Sequence, residues 1–119
     1  MKQKELRYYI SGNGKSPFAE WLGKIRDNVT QARILRRLER MEMGHYGDYK
    51  SVGDGILELR LAFGSGYRVY FAEVDGITVI LLLGGDKSTQ SKDIQTAKLY
   101  WQELKGRTDE QTKLNGKNE

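Results

Sequence analysis

The stretch from Gly55 to Lys87 constrains the fold more than any other part of the chain. It reads Gly-Ile-Leu-Glu-Leu-Arg-Leu, a glycine-rich turn, Gly-Tyr-Arg-Val-Tyr-Phe, an Asp-Gly turn, Ile-Thr-Val-Ile-Leu-Leu-Leu, then Gly-Gly-Asp-Lys. Strand-prone runs separated by short turns predict an antiparallel meander. Leu57, Leu59 and Leu61 alternate with Glu58 and Arg60, so the leucines are expected to face a core and the charged pair the opposite surface. The second run sets Arg68 and Tyr70 on one face and Tyr67, Val69 and Phe71 on the other. The third, Ile77 to Leu83, is apolar almost throughout, as a central strand covered on both sides would be.

The turns also suggest a register. Folding the first hairpin about Gly64 sets Arg60 opposite Arg68 and Glu58 opposite Tyr70. Asp75-Gly76, taken as a two-residue type I′ loop, sets Arg68 opposite Leu83. One polar face would then carry Glu58, Arg60 and Arg68, with Lys87 just past the neighbouring strand. Like charges directly opposed destabilise a sheet, so such a cluster implies an anion, and guanidinium forks match phosphate.

At 119 residues with a formal charge of +4, the chain is expected to form one domain with a basic surface suited to a polyanion. It has no cysteine and one histidine, His45, which leaves no basis for disulfides or a His- or Cys-built zinc site; no cofactor or metal is expected. No apolar run approaches membrane-helix length, which predicts a cytoplasmic protein with no membrane partner.

Along the chain, Lys4 to Ile10 reads as an edge strand, and Ser16-Pro17 starts a helix with Phe18, Trp21, Leu22 and Ile25 on one face. Asp27 or Asn28 caps a second helix ending near Met43-Gly44. Its buried stripe is Ile34, Leu35, Leu38 and Met41. Arg33, Arg36, Arg37 and Arg40 form another stripe at helical spacing, either a solvated face paired with Glu39 and Glu42 or a track for RNA phosphates. Residues 44–54 read as an aromatic, glycine-rich loop in which Tyr46 and Tyr49 could stack on bases and Lys50 could meet a phosphate. Ser88 or Thr89 caps a last helix with Ile94, Ala97, Trp101 and Leu104 buried, and the Gly84-Gly85 run lacks the spacing of a triphosphate loop. Residues 1–104 are thus one domain and 105–119 a polar, disordered tail. The order β-α-α-β-β-β-α gives an α+β fold, helices packed on one side of a mostly antiparallel sheet.

Several segments together resemble the RelE/ParE superfamily of toxins, and most closely its HigB-like addiction-module branch: Val52-Gly53-Asp54-Gly55, Glu58-Leu59-Arg60, Gly66-Tyr67-Arg68-Val69-Tyr70-Phe71, and Leu82 to Gln90 with Lys92-Asp93-Ile94. The resemblance implies a microRNase-like fold with two N-terminal helices against the sheet. It also implies a metal-independent endoribonuclease that cuts mRNA on the ribosome, with a HigA-like helix-turn-helix antitoxin as partner. Arg68 matches the family's Gly-Tyr-Arg segment and Lys87 a basic residue beyond the last strand. The chain departs from RelE-like toxins at Asp93, near the place of a helix tyrosine, and in lacking a basic pair on the Glu58-Arg60 strand. The catalytic expectation is therefore Glu58 as base, Arg60 and Arg68 on the scissile phosphate, and Lys87 or in reserve His45 as acid; Tyr49, Lys50, Tyr70, Arg33 and Arg37 would contact RNA. A ParE-like inhibitor of gyrase and a plain RNA-binding domain remain as alternatives.

Overall fold

A computed structural model describes residues 3–117. In chain order the elements are β1 (Glu5–Tyr8), α1 (Pro17–Gly23), α2 (Asn28–Glu42), β2 (Tyr49–Gly53), β3 (Ile56–Arg60), β4 (Arg68–Val74), β5 (Thr78–Gly85) and α3 (Gln90–Lys117), with a 3-10 turn at Lys87–Thr89 before α3. The strands form one sheet in the order β1-β5-β4-β3-β2. Only β1 runs parallel to its neighbour, β5; the remaining pairs are antiparallel. The α+β class and the edge position of β1 follow the sequence reading, and β2 is an added strand where a loop was expected.

Local chemistry explains the helix starts. The Ser16 side chain accepts from the Ala19 N–H with Pro17 at the first helical position, and Asp27 accepts from the Val29 N–H. Gly44, at φ 88, ends α2 in a conformation side-chain-bearing residues avoid. Ile34, Leu38 and Met41 of α2 are buried, but Leu35 is 41% exposed and lines an open groove with Leu6 and Tyr8 of β1.

The helices lie on both sides of the sheet, not one. Phe18, Ile34, Leu38 and Met41 of α1 and α2 pack on Leu59, Leu61, Val69, Phe71, Val79 and Leu81. On the other face α3 lays Ala97, with Ile94, Trp101 and Leu104, over Ile56, Tyr70, Ala72, Ile80 and Leu82. A sheet sandwiched this way hides its "polar" face too. The structure also continues past the expected boundary at Leu104: α3 runs on, and Arg107 donates to the Ile10 carbonyl at 2.9 Å. The last two residues of the expected tail lie outside the described residues.

The first hairpin has the expected register, with Glu58 opposite Tyr70 and Arg60 opposite Arg68. The second differs. Val74 pairs with Thr78, so Ile77 joins the loop, and Leu82 is an extra residue between the pairs Phe71–Leu81 and Tyr70–Leu83. Each adds one position, which moves Arg68 from Leu83 to Gly85 and thereby brings it toward Lys87.

Past the bulge, Gly84 and Gly85, as successive strand residues, face opposite sides of the sheet. A Cβ on Gly84 would lie 2.1 Å from the Trp21 ring of α1, and one on Gly85 would lie 1.9 Å from the Asp93 carboxylate of α3. The Gly-Gly pair is thus the place where helices from both layers press on the end of β5. It fixes packing rather than cradling phosphate.

Candidate nucleic-acid cleft

Arg60, Arg68 and Lys87 line one open cleft of about 720 Å³ together with Asp48 and the turn from Leu61 to Gly66. The turn is its wall. The Leu61 N–H donates to the Tyr67 carbonyl at 3.0 Å and the Gly66 N–H to the Phe63 carbonyl at 3.2 Å, closing the loop on itself. Gly66, at φ 76, lets the Lys87 stem lie against the backbone, within 3.3 Å of where a Cβ would stand. Lys87 is aimed from the other side by Asp86, whose carboxylate accepts from the Ser88 N–H (2.8 Å) and hydroxyl (2.6 Å) and from the Ser65 hydroxyl (3.3 Å). The Ser88 hydroxyl, with these further donors, holds the Asp86 carboxyl below its ordinary value. Asp86 caps the 3-10 turn that leads into α3, and the Thr89 hydroxyl completes the box by accepting from the Asp86 N–H.

Two of the cations are held by carboxylates. The Arg60 Nη2 meets Asp48 Oδ1 at 3.0 Å, and the Arg60 N–H donates to the Asp48 carbonyl at 2.9 Å. Arg68 is 9% exposed; its Nη1 donates to the Gly66 and Tyr67 carbonyls, and its Nε stands 4.0 Å from Glu58 Oε1. Among the described residues Arg60 Nε, Arg68 Nε and Glu58 Oε1 are buried side-chain atoms with no hydrogen bond.

Glu58 itself is fully buried beneath α3 and does not line the cleft. Its Oε2 accepts from the Tyr70 hydroxyl at 3.1 Å and the Gln90 amide at 2.8 Å. A carboxylate enclosed in this way cannot reach a molecule in the cleft, so the structure places it behind Arg68 and corrects the expectation of Glu58 as a base. Tyr70 is likewise fully buried and cannot stack on a base. Burial, then the Glu58 charge, pushes its phenol above the ordinary tyrosine value. Burial also raises the carboxyl of Asp93, which sits over Gly85 and accepts from the Thr89 hydroxyl.

The other expected contacts divide. Lys50 pairs with Glu58 across β2 and is exposed, but lines no part of the cleft. Tyr49 is 47% exposed and rests edge-on against Tyr46, 5.3 Å between ring centres. Tyr46 is core: 9% exposed, it donates its hydroxyl to Glu73. Arg37 is committed internally, donating to the Arg60 carbonyl (3.1 Å) and the Tyr46 carbonyl (2.9 Å), and burial lowers its pKa. Arg33 lies over the Phe63 ring, 4.1 Å from its centre. His45 is exposed and stands outside the cleft lining. Asp48, the carboxylate lining the cleft, was missed by reading 44–54 as a loop; extending the β2–β3 ladder one step past Tyr49–Leu59 puts it beside Arg60.

The fold and cleft define a small basic α+β protein with a cationic, anion-sized opening at the end of its sheet. Residues 20–105 match the family described as phage derived protein Gp49-like (DUF891), and the chain belongs to that family. An uncharacterized protein of Haemophilus influenzae is 54% identical over 87 residues, covering 73% of this chain and 88% of that one. Among the described residues no helix is long and apolar enough to cross a membrane.

Proposed function

We propose that the protein is the toxin of a type II toxin–antitoxin pair, a ribosome-dependent endoribonuclease that cuts mRNA without a metal. The observation carrying this reading is the gathering of Arg60, Arg68 and Lys87 around one cleft at the end of the sheet. Membership of the Gp49-like family and the RelE/HigB-like motifs support it.

Cleavage of RNA by its own 2′-oxygen forms a bond from O2′ to phosphorus and breaks the one to O5′. A proton leaves O2′ and one reaches O5′. In this reading Arg68 and Arg60 hold the scissile phosphate and stabilise the phosphorane charge. Asp48, oriented by Arg60, takes the O2′ proton. Lys87 delivers one to O5′. Glu58 is a positioning residue that keeps the Arg68 guanidinium aimed at the cleft. The antitoxin, a HigA-like helix-turn-helix protein, would cover this cationic opening with an acidic segment.

Expression of wild type, Arg68→Ala and Lys87→Ala, with transcript 5′ ends mapped after induction, tests the proposal. Wild type is expected to arrest growth with codon-phased cuts, and each variant to lose about 10²–10³ in cleavage rate while keeping its circular dichroism. Undiminished arrest by both variants would reject the site. DNA damage without cuts would reassign the target to gyrase.

A further inference from the structure

Beside the Arg68 cleft lies a second groove of about 330 Å³, lined by Arg33, Arg36, Arg37, Arg40, Ala62 and Phe63. Ala62 and Phe63 line both openings, so the shared wall is the first half of the same turn. Among the described residues no carboxylate forms an ion pair with any of these arginines, Glu39 and Glu42 included.

The four arginines do different things. Arg37 is a strut, spent on the Arg60 and Tyr46 carbonyls. Arg33 is laid on the Phe63 ring, which leaves its other face open as a stacking surface. Arg36 and Arg40 are exposed and one helical turn apart, where like charges repel unless an anion lies between them. Arg37 ties this groove rigidly to the cleft, because the carbonyl it holds belongs to Arg60.

We infer that this groove is a second phosphate subsite for the same RNA strand. The inference rests on reading the Arg68 cleft as the RNA-cutting site. The strand leaves that cleft, crosses the wall at Ala62–Phe63 with a base stacked on Arg33, and sets a neighbouring phosphate between Arg36 and Arg40. Single-stranded RNA suits it because backbone charge and a flat stacking face are presented side by side.

The test is fluorescence anisotropy with a labelled 12-nucleotide single-stranded uridine RNA at several salt concentrations. The proteins compared are wild type, Lys87→Ala, the double variant Arg36→Gln/Arg40→Gln, and a charge-matched control, Lys24→Gln/Arg26→Gln. Arg36→Gln/Arg40→Gln is expected to weaken binding about tenfold and to flatten the log K against log salt slope by about 1.4, two contacts at ~0.7 each. The control is expected to leave the slope in place. If the double variant behaves like the control while Lys87→Ala weakens binding, the groove is overturned and the cleft stands. If the double variant weakens binding while Lys87→Ala does not, the groove is supported as an RNA contact and the role of Lys87 is read from the 5′-end mapping. No binding by the wild type overturns the groove, while the cleft reading stands or falls on the mapped 5′ ends.

Discussion

Toward α1 and α2 the sheet presents Leu59, Leu61, Val69, Phe71, Val79 and Leu81, all fully buried against Phe18, Ile34 and Met41. Toward α3 the same strands present Ile56, Tyr70, Ala72 and Leu82, but among them stand Glu58 and Arg68. One face is an apolar contact that can be judged by area and fit alone. The other gives up part of that burial to hold a carboxylate and a guanidinium 4.0 Å apart, with the guanidinium reaching the cleft. The lesson is a division of labour: the first face supplies stability, and the second orients a charge into the open cleft.

The contrast breaks first if the apolar face is not the stronger one. Phe18→Ala removes a fully buried ring at the meeting of α1 with the sheet and is expected to cost about 3–5 kcal/mol in urea denaturation. Glu58→Ala leaves the Tyr70 hydroxyl and Gln90 amide without their acceptor and should cost less, about 1–3 kcal/mol in the same measurement. On the proposed RNA-cutting reading it should nevertheless reduce cleavage, and Glu58→Gln should restore stability more fully than cleavage, since the amide keeps an acceptor but not the charge that faces Arg68. Equal recovery of both would make Glu58 purely structural.

The smallest effect concerns Asp86. Its folded carboxyl titrates below the ordinary 3.8, so the stability it contributes is present above that value and is lost as pH falls through the lowered one. Asp86→Asn is expected to flatten the acid side of the Tm against pH curve by a small amount, because the group is largely solvated. A steeper acid limb in the variant would contradict the assignment of Asp86 as the cap that aims Lys87.

Much of this was readable beforehand because it depends on spacing. The alternation of leucines with Glu58 and Arg60, the symmetric turn at Gly64, and the serine and aspartate caps are local signals. They placed the first hairpin and both N-terminal helices correctly. What escaped depends on contacts between distant segments. Tyr49–Gly53 lacks the apolar alternation of a strand because it is an outer edge with mostly exposed residues, so only its pairing with β3 reveals it. Glu58 of β3 looked solvated, yet α3 folds back over it. The Leu82 bulge has no signature in a uniformly apolar run, and with it went the register that sets Arg68 opposite Gly85. Arg37 and Arg40 look alike in sequence, and only the carbonyls within reach of Arg37 tell them apart.

The parallel pairing of β1 with β5 ties Glu5 to Thr78 and Tyr8 to Leu81, across nearly the whole span of the domain. During synthesis the β1 segment therefore waits, unpartnered, until Thr78 to Leu81 have left the ribosome tunnel. Lys87 emerges later still. Synthesis itself keeps the cleft unassembled until the final helix is on its way out.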